Sequence, residues 1–117
     1  MKITIMNGTP KGAQYQMDHY LQRLEERLAA GGHQVTHLHL REMDIRTCIG
    51  CFGCWVKTPG KCFSPDESCQ VCRAVLHSDF TLWAAPLVMG FPSATLKTAM
   101  DKSIPLIHPY FEVINNE

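Results

Sequence analysis

The strongest constraint on the fold is an alternation of short apolar runs with stretches of helical periodicity. "KITIMN" (2–7) is short and apolar and stops at Gly8, Pro10 and Gly12, the pattern of a buried strand running into a turn. From Gln14 to Ala30, Met17, Leu21, Leu24 and Leu28 recur at helical spacing among charged residues, and Gly31–Gly32 ends the run. "QVTHLHL" (34–40) suits an edge strand, with Thr36, Leu38 and Leu40 on one face and Val35, His37 and His39 on the other. Ser64–Pro65–Asp66–Glu67 then opens a helix extending to about His77. "FTLWAAPLVM" (80–89) is apolar almost throughout, as expected of a central parallel strand covered on both faces. After Gly90 and Pro92, Ser93 caps a last helix running to about Ser103, which Pro105 terminates.

Strands alternating with helices specify a parallel sheet with right-handed crossovers, so the expected class is α/β and doubly wound. Only three strands are visible in the 117 residues, and no repeat, low-complexity segment or linker divides them. Three strands leave an apolar sheet edge to be covered. The expectation is one domain that is part of a larger one, or one completed by a second chain as a homo-oligomer.

Eleven basic and eleven acidic residues balance, which leaves no electrostatic footprint for nucleic acid or an anionic membrane. No apolar run reaches the length of a membrane span, and "MKITIMNGTPKG" lacks the pattern of a secretory signal. A cytoplasmic location is the resulting expectation. Under its reducing conditions clustered cysteines bind metal or do chemistry more often than they form structural disulfides.

Ligands of open parallel sheets sit beyond the carboxyl ends of the strands. "NGTPKGAQYQ" (7–16) occupies that place after the first strand. Gly8 and Gly12 permit close backbone approach, Thr9 offers a hydroxyl, Lys11 a charge, and the following helix free N–H groups, which together suit a phosphate monoester. The spacing is neither GxxxxGK[ST] nor GxGxxG, and an ordinary strand-to-helix turn accounts for it equally well.

Four of the six cysteines fall in "CIGCFGCWVKTPGKC" (48–62). Such density marks an iron-sulfur cluster, a zinc site, or a loop that tolerates thiols. Cys48, Cys51, Cys69 and Cys72 give CxxC-x17-CxxC, a zinc-like spacing, yet Cys69 and Cys72 also fit one face of a helix as small apolar residues. His33, His37 and His39 lack a carboxylate or cysteine beside them in sequence and read as a solvated edge strand.

"NGTPKG", "CIGCFGCWVKTPGKC" with its following "PDE", and "APLVMGFPSATLKTAMDKSIPLIHPY" (85–110) occur in an order that resembles the flavodoxin-like NAD(P)H-dependent FMN reductase family. Within it the chain is similar to the branch that includes iron-sulfur flavoproteins. The resemblance implies a flavodoxin-like sheet binding FMN, with residues 1–117 forming the N-terminal part of a fold that usually has five strands. It implies Thr9, Lys11 and Gln14 at the phosphate, and Pro86, Leu87, Val88, Met89, Gly90 and Phe91 along the isoalloxazine ring. Without the resemblance, the latter group is a strand end and a helix cap.

Cys48, Cys51, Cys54 and Cys62 form CxxCxxCx7C, which resembles the compact motif of iron-sulfur flavoproteins and implies a 4Fe-4S cluster. Flavin reductases without a cluster share a similar loop, where Phe52 and Trp55 would wall the flavin pocket. The implied activity is that of an oxidoreductase taking hydride from NAD(P)H and passing electrons to a small-molecule or protein acceptor. The cofactor carries that chemistry, so no acid–base pair is needed in the protein. A non-catalytic zinc-stabilised or assembly module derived from the same fold is the alternative.

Overall fold

The computed structural model describes residues 1–12, 16–110, 112 and 114. Three parallel strands form the central sheet: β1 (Lys2–Asn7), β2 (Gln34–His39) and β3 (Phe80–Ala84), in the order β2-β1-β3. Lys2 to Asn7 align with Gln34 to His39 on one side, and Ile3 to Asn7 with Phe80 to Ala84 on the other. The order reverses direction at β1, the place beyond whose carboxyl end ligands of open parallel sheets sit. This is the α/β doubly wound, flavodoxin-like arrangement expected, with three strands in its parallel sheet among the described residues.

The pleat sends alternate residues of β1 to opposite faces. Met6 packs with Leu40, Val71, Leu96 and Ala99, which belong to the 3-10 turn after β2, to α3 (Ser68–Leu76) and to α4 (Ala94–Asp101). Thr4, on the same face, hydrogen-bonds to Ser78 just beyond α3. Ile3, Ile5 and Asn7 face the other way, where α1 (Gln16–Ala30) lies and Leu21 is its buried anchor. Helices on both faces are why β1 is apolar on both sides and buried from Ile3 to Asn7.

The run 80–89 is not the single central strand that its hydrophobicity implies. β3 ends at Ala84 and forms an edge among the described residues, and β1 holds the central place. Pro86 has no N–H to donate, and Met89 and Gly90 take φ of 50° and 85°. Two successive positive φ values make the two-residue turn that joins β4 (Leu87–Val88) to β5 (Phe91–Pro92) as an antiparallel hairpin. Apolar content alone does not distinguish a covered strand from this exposed hairpin.

Ser93 caps α4 as its sequence position indicates, its hydroxyl accepting from the Leu96 N–H at 3.2 Å while donating to the Gly8 carbonyl. The second helix begins later than expected. Ser64–Glu67 precedes it, and Asp66 supplies the cap by accepting from the Ser68 N–H at 3.0 Å. A single turn, α2 (Gly53–Val56), lies within the cysteine-rich segment.

Candidate functional site

The loop after β1 is held from three directions. Gly8 N–H donates to the Ala84 carbonyl at 2.7 Å, tying the loop to the end of β3. The Ser93 bond to Gly8 ties it to the start of α4. A Cβ on Gly8 would stand 2.6 Å from Leu96 Cβ, so glycine here permits the helix to approach. Thus the described part of the stretch expected around the phosphate (9–15) and the stretch expected beside the ring (86–93) adjoin through Gly8 and Ser93.

Thr9 is 1% exposed, and its hydroxyl is a buried polar atom with no hydrogen-bond partner. A buried hydroxyl without a partner costs about 1–3 kcal/mol, which a bound acceptor would offset. Lys11 and Gly12 are exposed at the mouth of the loop. Gln14 lies outside the described residues. The loop thus pairs a buried, unpartnered hydroxyl with an exposed lysine two residues on.

Leu87, Val88, Met89 and Phe91 are exposed at 75, 54, 94 and 72%, with Gly90 also exposed and Pro86 half-buried. An apolar hairpin that faces solvent is a surface suited to a flat aromatic ligand or to another chain. These six positions therefore form one continuous element, adjoining the Thr9 loop through Ala84 and Ala85.

The cysteine-rich segment is a flap pinned at its base by carboxylates. Glu67 accepts from the Asp44 N–H at 2.6 Å and Asp66 from the Arg46 N–H at 3.0 Å. Its far side is held by Trp55, whose Nε1–H donates to the Ile107 carbonyl at 2.8 Å. Phe52 takes a φ of 52°, turning the chain before α2, and its ring lies 4.8 Å from that of Trp55. Trp55 is thus committed to the chain after α4, while Phe52 remains on the lining of the cavity beneath the flap.

That cavity has a volume of about 370 Å3, and Cys48, Cys51, Cys54 and Cys62 all line it, together with Phe63 and Lys102. Burial pushes the Cys54 thiol above its usual range, and the neighbouring Cys62, Cys48 and Cys51 push it further in the same direction. Four cysteine sulfurs lining one cavity are a soft donor set of the kind that binds a cationic centre. The chemistry of this set fits a thiolate-bound cluster, whose irons take one cysteine each. Lys102 Nζ is 3.2 Å from Cys62 Sγ and 3.0 Å from Asp66 Oδ2.

Cys69 and Cys72 stand apart from that cavity on α3, the first exposed and the second buried with its Sγ 3.5 Å from the Lys102 carbonyl. Burial, reinforced by Cys69, Cys62 and Cys54, raises the Cys72 thiol. Among the described residues no three His, Cys, Asp or Glu side chains are gathered closely enough to hold a single metal ion. The pair expected for zinc thus lies outside the cavity that Cys48 and Cys51 line.

Sequence patterns overlooked a polar cluster on the α1 face. His37 is not solvated: its side chain is 7% exposed, pairs with Glu25 at 2.7 Å and stacks on His39 at 4.3 Å. Asn7 donates to Asp18 at 2.7 Å, and Arg41 donates to the same carboxylate at 2.9 Å. Burial alone would raise the Asp18 carboxyl, but these two hydrogen bonds and the Arg41 and His39 charges hold it below the usual range.

A family model described as NADPH-dependent FMN reductase matches residues 1–111. A curated iron-sulfur flavoprotein of Archaeoglobus fulgidus is 30% identical over 111 residues, covering 92% of this chain and 48% of the relative. An iron-sulfur flavoprotein of Methanocaldococcus jannaschii is 32% identical over 79 residues, covering 68% of this chain and 40% of the relative. A second Archaeoglobus fulgidus iron-sulfur flavoprotein is 25% identical over 103 residues, covering 88% and 49%. The chain therefore spans less than half the length of each of these relatives. No solved structure gave a match.

The three-stranded parallel sheet in the order β2-β1-β3, with helices on both faces, defines the α/β flavodoxin-like class. The chain belongs to the NADPH-dependent FMN reductase family. Among the described residues no helix is long and apolar enough to cross a membrane.

Proposed function

We propose that the chain is the FMN-binding, N-terminal part of a cytoplasmic FMN-dependent oxidoreductase that takes hydride from NAD(P)H and delivers electrons to a small-molecule or protein acceptor. The observation that carries this reading is the buried, unpartnered hydroxyl of Thr9 in the loop at the carboxyl end of β1. Thr9, Lys11 and Gln14 receive the phosphate, and Pro86 to Phe91 lie along the ring system. Bound FMN would supply hydride acceptance and one-electron transfer. The protein's own part is to fix the phosphate, present an apolar hairpin to the ring and exclude water from its face.

Cys48, Cys51, Cys54 and Cys62 are the proposed ligands of a 4Fe-4S cluster, which would relay single electrons. What supports this is that the four thiols line one cavity, and that the relatives above are named iron-sulfur flavoproteins. The exposed hairpin and the outer edge of β3 support a homo-oligomeric assembly that covers them.

The test is one anaerobic absorption spectrum after incubation with FMN, ferrous iron and sulfide, with flavin, iron and zinc quantified in the same sample. Bound flavin that NADPH bleaches, with iron and without zinc, supports the proposal. A colourless protein carrying stoichiometric zinc replaces it with the zinc-stabilised module.

A further inference from the structure

The loop that carries Thr9 is closed by a ring of four hydrogen bonds. Thr9 N–H donates to Asn7 Oδ1 at 3.0 Å, and Asn7 Nδ2 donates to Asp18 Oδ1 at 2.7 Å. Arg41 Nη1 donates to that same Asp18 oxygen at 2.9 Å and to the Thr9 carbonyl at 3.4 Å. Three elements contribute: Asn7 ends β1, Asp18 lies in the first turn of α1, and Arg41 sits in the turn after β2. Both peptide groups of Thr9 are thereby engaged, so its side-chain oxygen is the part of the residue left without a partner.

We infer that Arg41 is a positioning residue that sets the affinity of this loop for a phosphate by holding Thr9 through the Asn7–Asp18–Thr9 ring. The inference deepens the FMN reading and rests on it. Arg41 and Asp18 are both 17% exposed at the side chain, whereas Lys11 is exposed at the tip of the loop. A mostly buried guanidinium held on two oxygens fixes the loop backbone with less solvent competition than an exposed lysine would. The Asp18 carboxylate is offset by Arg41, so the ring orders the loop without presenting net negative charge to the phosphate. Arginine suits the position because a single planar group reaches two oxygens on different elements, which an ammonium does with less directional control.

The experiment compares FMN with riboflavin, which lacks the phosphate, by fluorescence titration of the whole chain. Wild type is expected to prefer FMN. Arg41→Gln lowers that preference by about tenfold or more, the loss of one charge-assisted interaction. It leaves riboflavin affinity nearly unchanged. Arg41→Lys recovers part of the preference. Hydrogen exchange at the Gly8 and Thr9 amides gives a readout independent of flavin and is faster in Arg41→Gln. If Arg41→Gln fails to fold, Arg41→Lys carries the test, with an intermediate preference expected and a wild-type preference overturning the inference. An unchanged preference in Arg41→Gln overturns this inference and leaves the FMN reading standing. Equal binding of both flavins by wild type overturns the phosphate reading itself, and this one with it.

Discussion

Lys102 and Asp66 form an ion pair of 3.0 Å with side chains 3 and 0% exposed, joining the last helix to the base of the cysteine flap. Burying two charges costs several kcal/mol each, and the close contact, with further hydrogen bonds from Ser68 and Arg46, offsets it. Removing one partner alone leaves the other charge uncompensated. Lys102→Met is expected to destabilise the chain by about 3–5 kcal/mol in urea denaturation. The double variant Lys102→Met with Asp66→Asn should lose less than the single one, and a larger loss would show that the pair is not coupled.

The same pair fixes the acid stability. Burial raises the Asp66 carboxyl, but hydrogen bonds from Ser68, Lys102 and the Arg46 N–H outweigh it and pull it from 3.8 to about 2. A depressed native pKa favours folding above the unfolded value, and that contribution is lost as pH falls from 3.8 towards about 2. The increment is about 2 kcal/mol. Lys102 behaves oppositely: burial lowers it, yet Asp66 and Cys62 raise it overall, so its contribution holds below 10.5 and disappears only at higher pH. Urea midpoints across the acid range should fall in wild type and flatten by that increment in Asp66→Asn.

Gly8→Ala tests the close approach of α4 to the Thr9 loop. The new Cβ would meet Leu96 Cβ at 2.6 Å and Ala85 Cβ at 3.1 Å, and neither is the end of a flexible side chain. The expected cost is about 1–3 kcal/mol. FMN affinity should fall as well, since the loop must shift. Full stability in a denaturant titration would contradict the packing described.

Iron content separates the two groups of cysteines. Cys48→Ser, Cys51→Ser and Cys54→Ser should each sharply reduce iron bound after anaerobic reconstitution, from about four per chain. Cys69→Ser should retain it, since Cys69 does not line the flap cavity. Equal loss in Cys69→Ser would instead favour the CxxC-x17-CxxC arrangement.

The elements with a local signature were visible in the sequence. β1 is an apolar run closed by glycines, α1 keeps its helical period to Gly31, and Ser93 announces α4 from its position after Pro92. The run 80–89 misled because hydrophobicity has no direction: Pro86 and Gly90 were the signs of a break, and the run ends in an exposed hairpin. The site was legible only in its covalent parts. The four flap cysteines stand at a recognisable spacing and the Thr9 loop matches none, while Arg41 meets Asp18 across 23 residues and Lys102 meets Cys62 across 40. Partnerships made by tertiary folding leave no period or spacing to read. His37 was misplaced for the same reason, its partner Glu25 lying on another element.

The central claim is that the β1 loop prepares Thr9 for the phosphate of FMN. Its most direct measurement is the melting temperature of wild type and of Thr9→Val as FMN is added. A ligand that binds the native state stabilises it by about 2.7 kcal/mol at a hundred times its Kd. Wild type should rise steadily with FMN while Thr9→Val, folded and lacking the hydroxyl, rises far less at the same concentrations. A wild-type melting temperature indifferent to FMN, or an identical rise in Thr9→Val, would contradict the account.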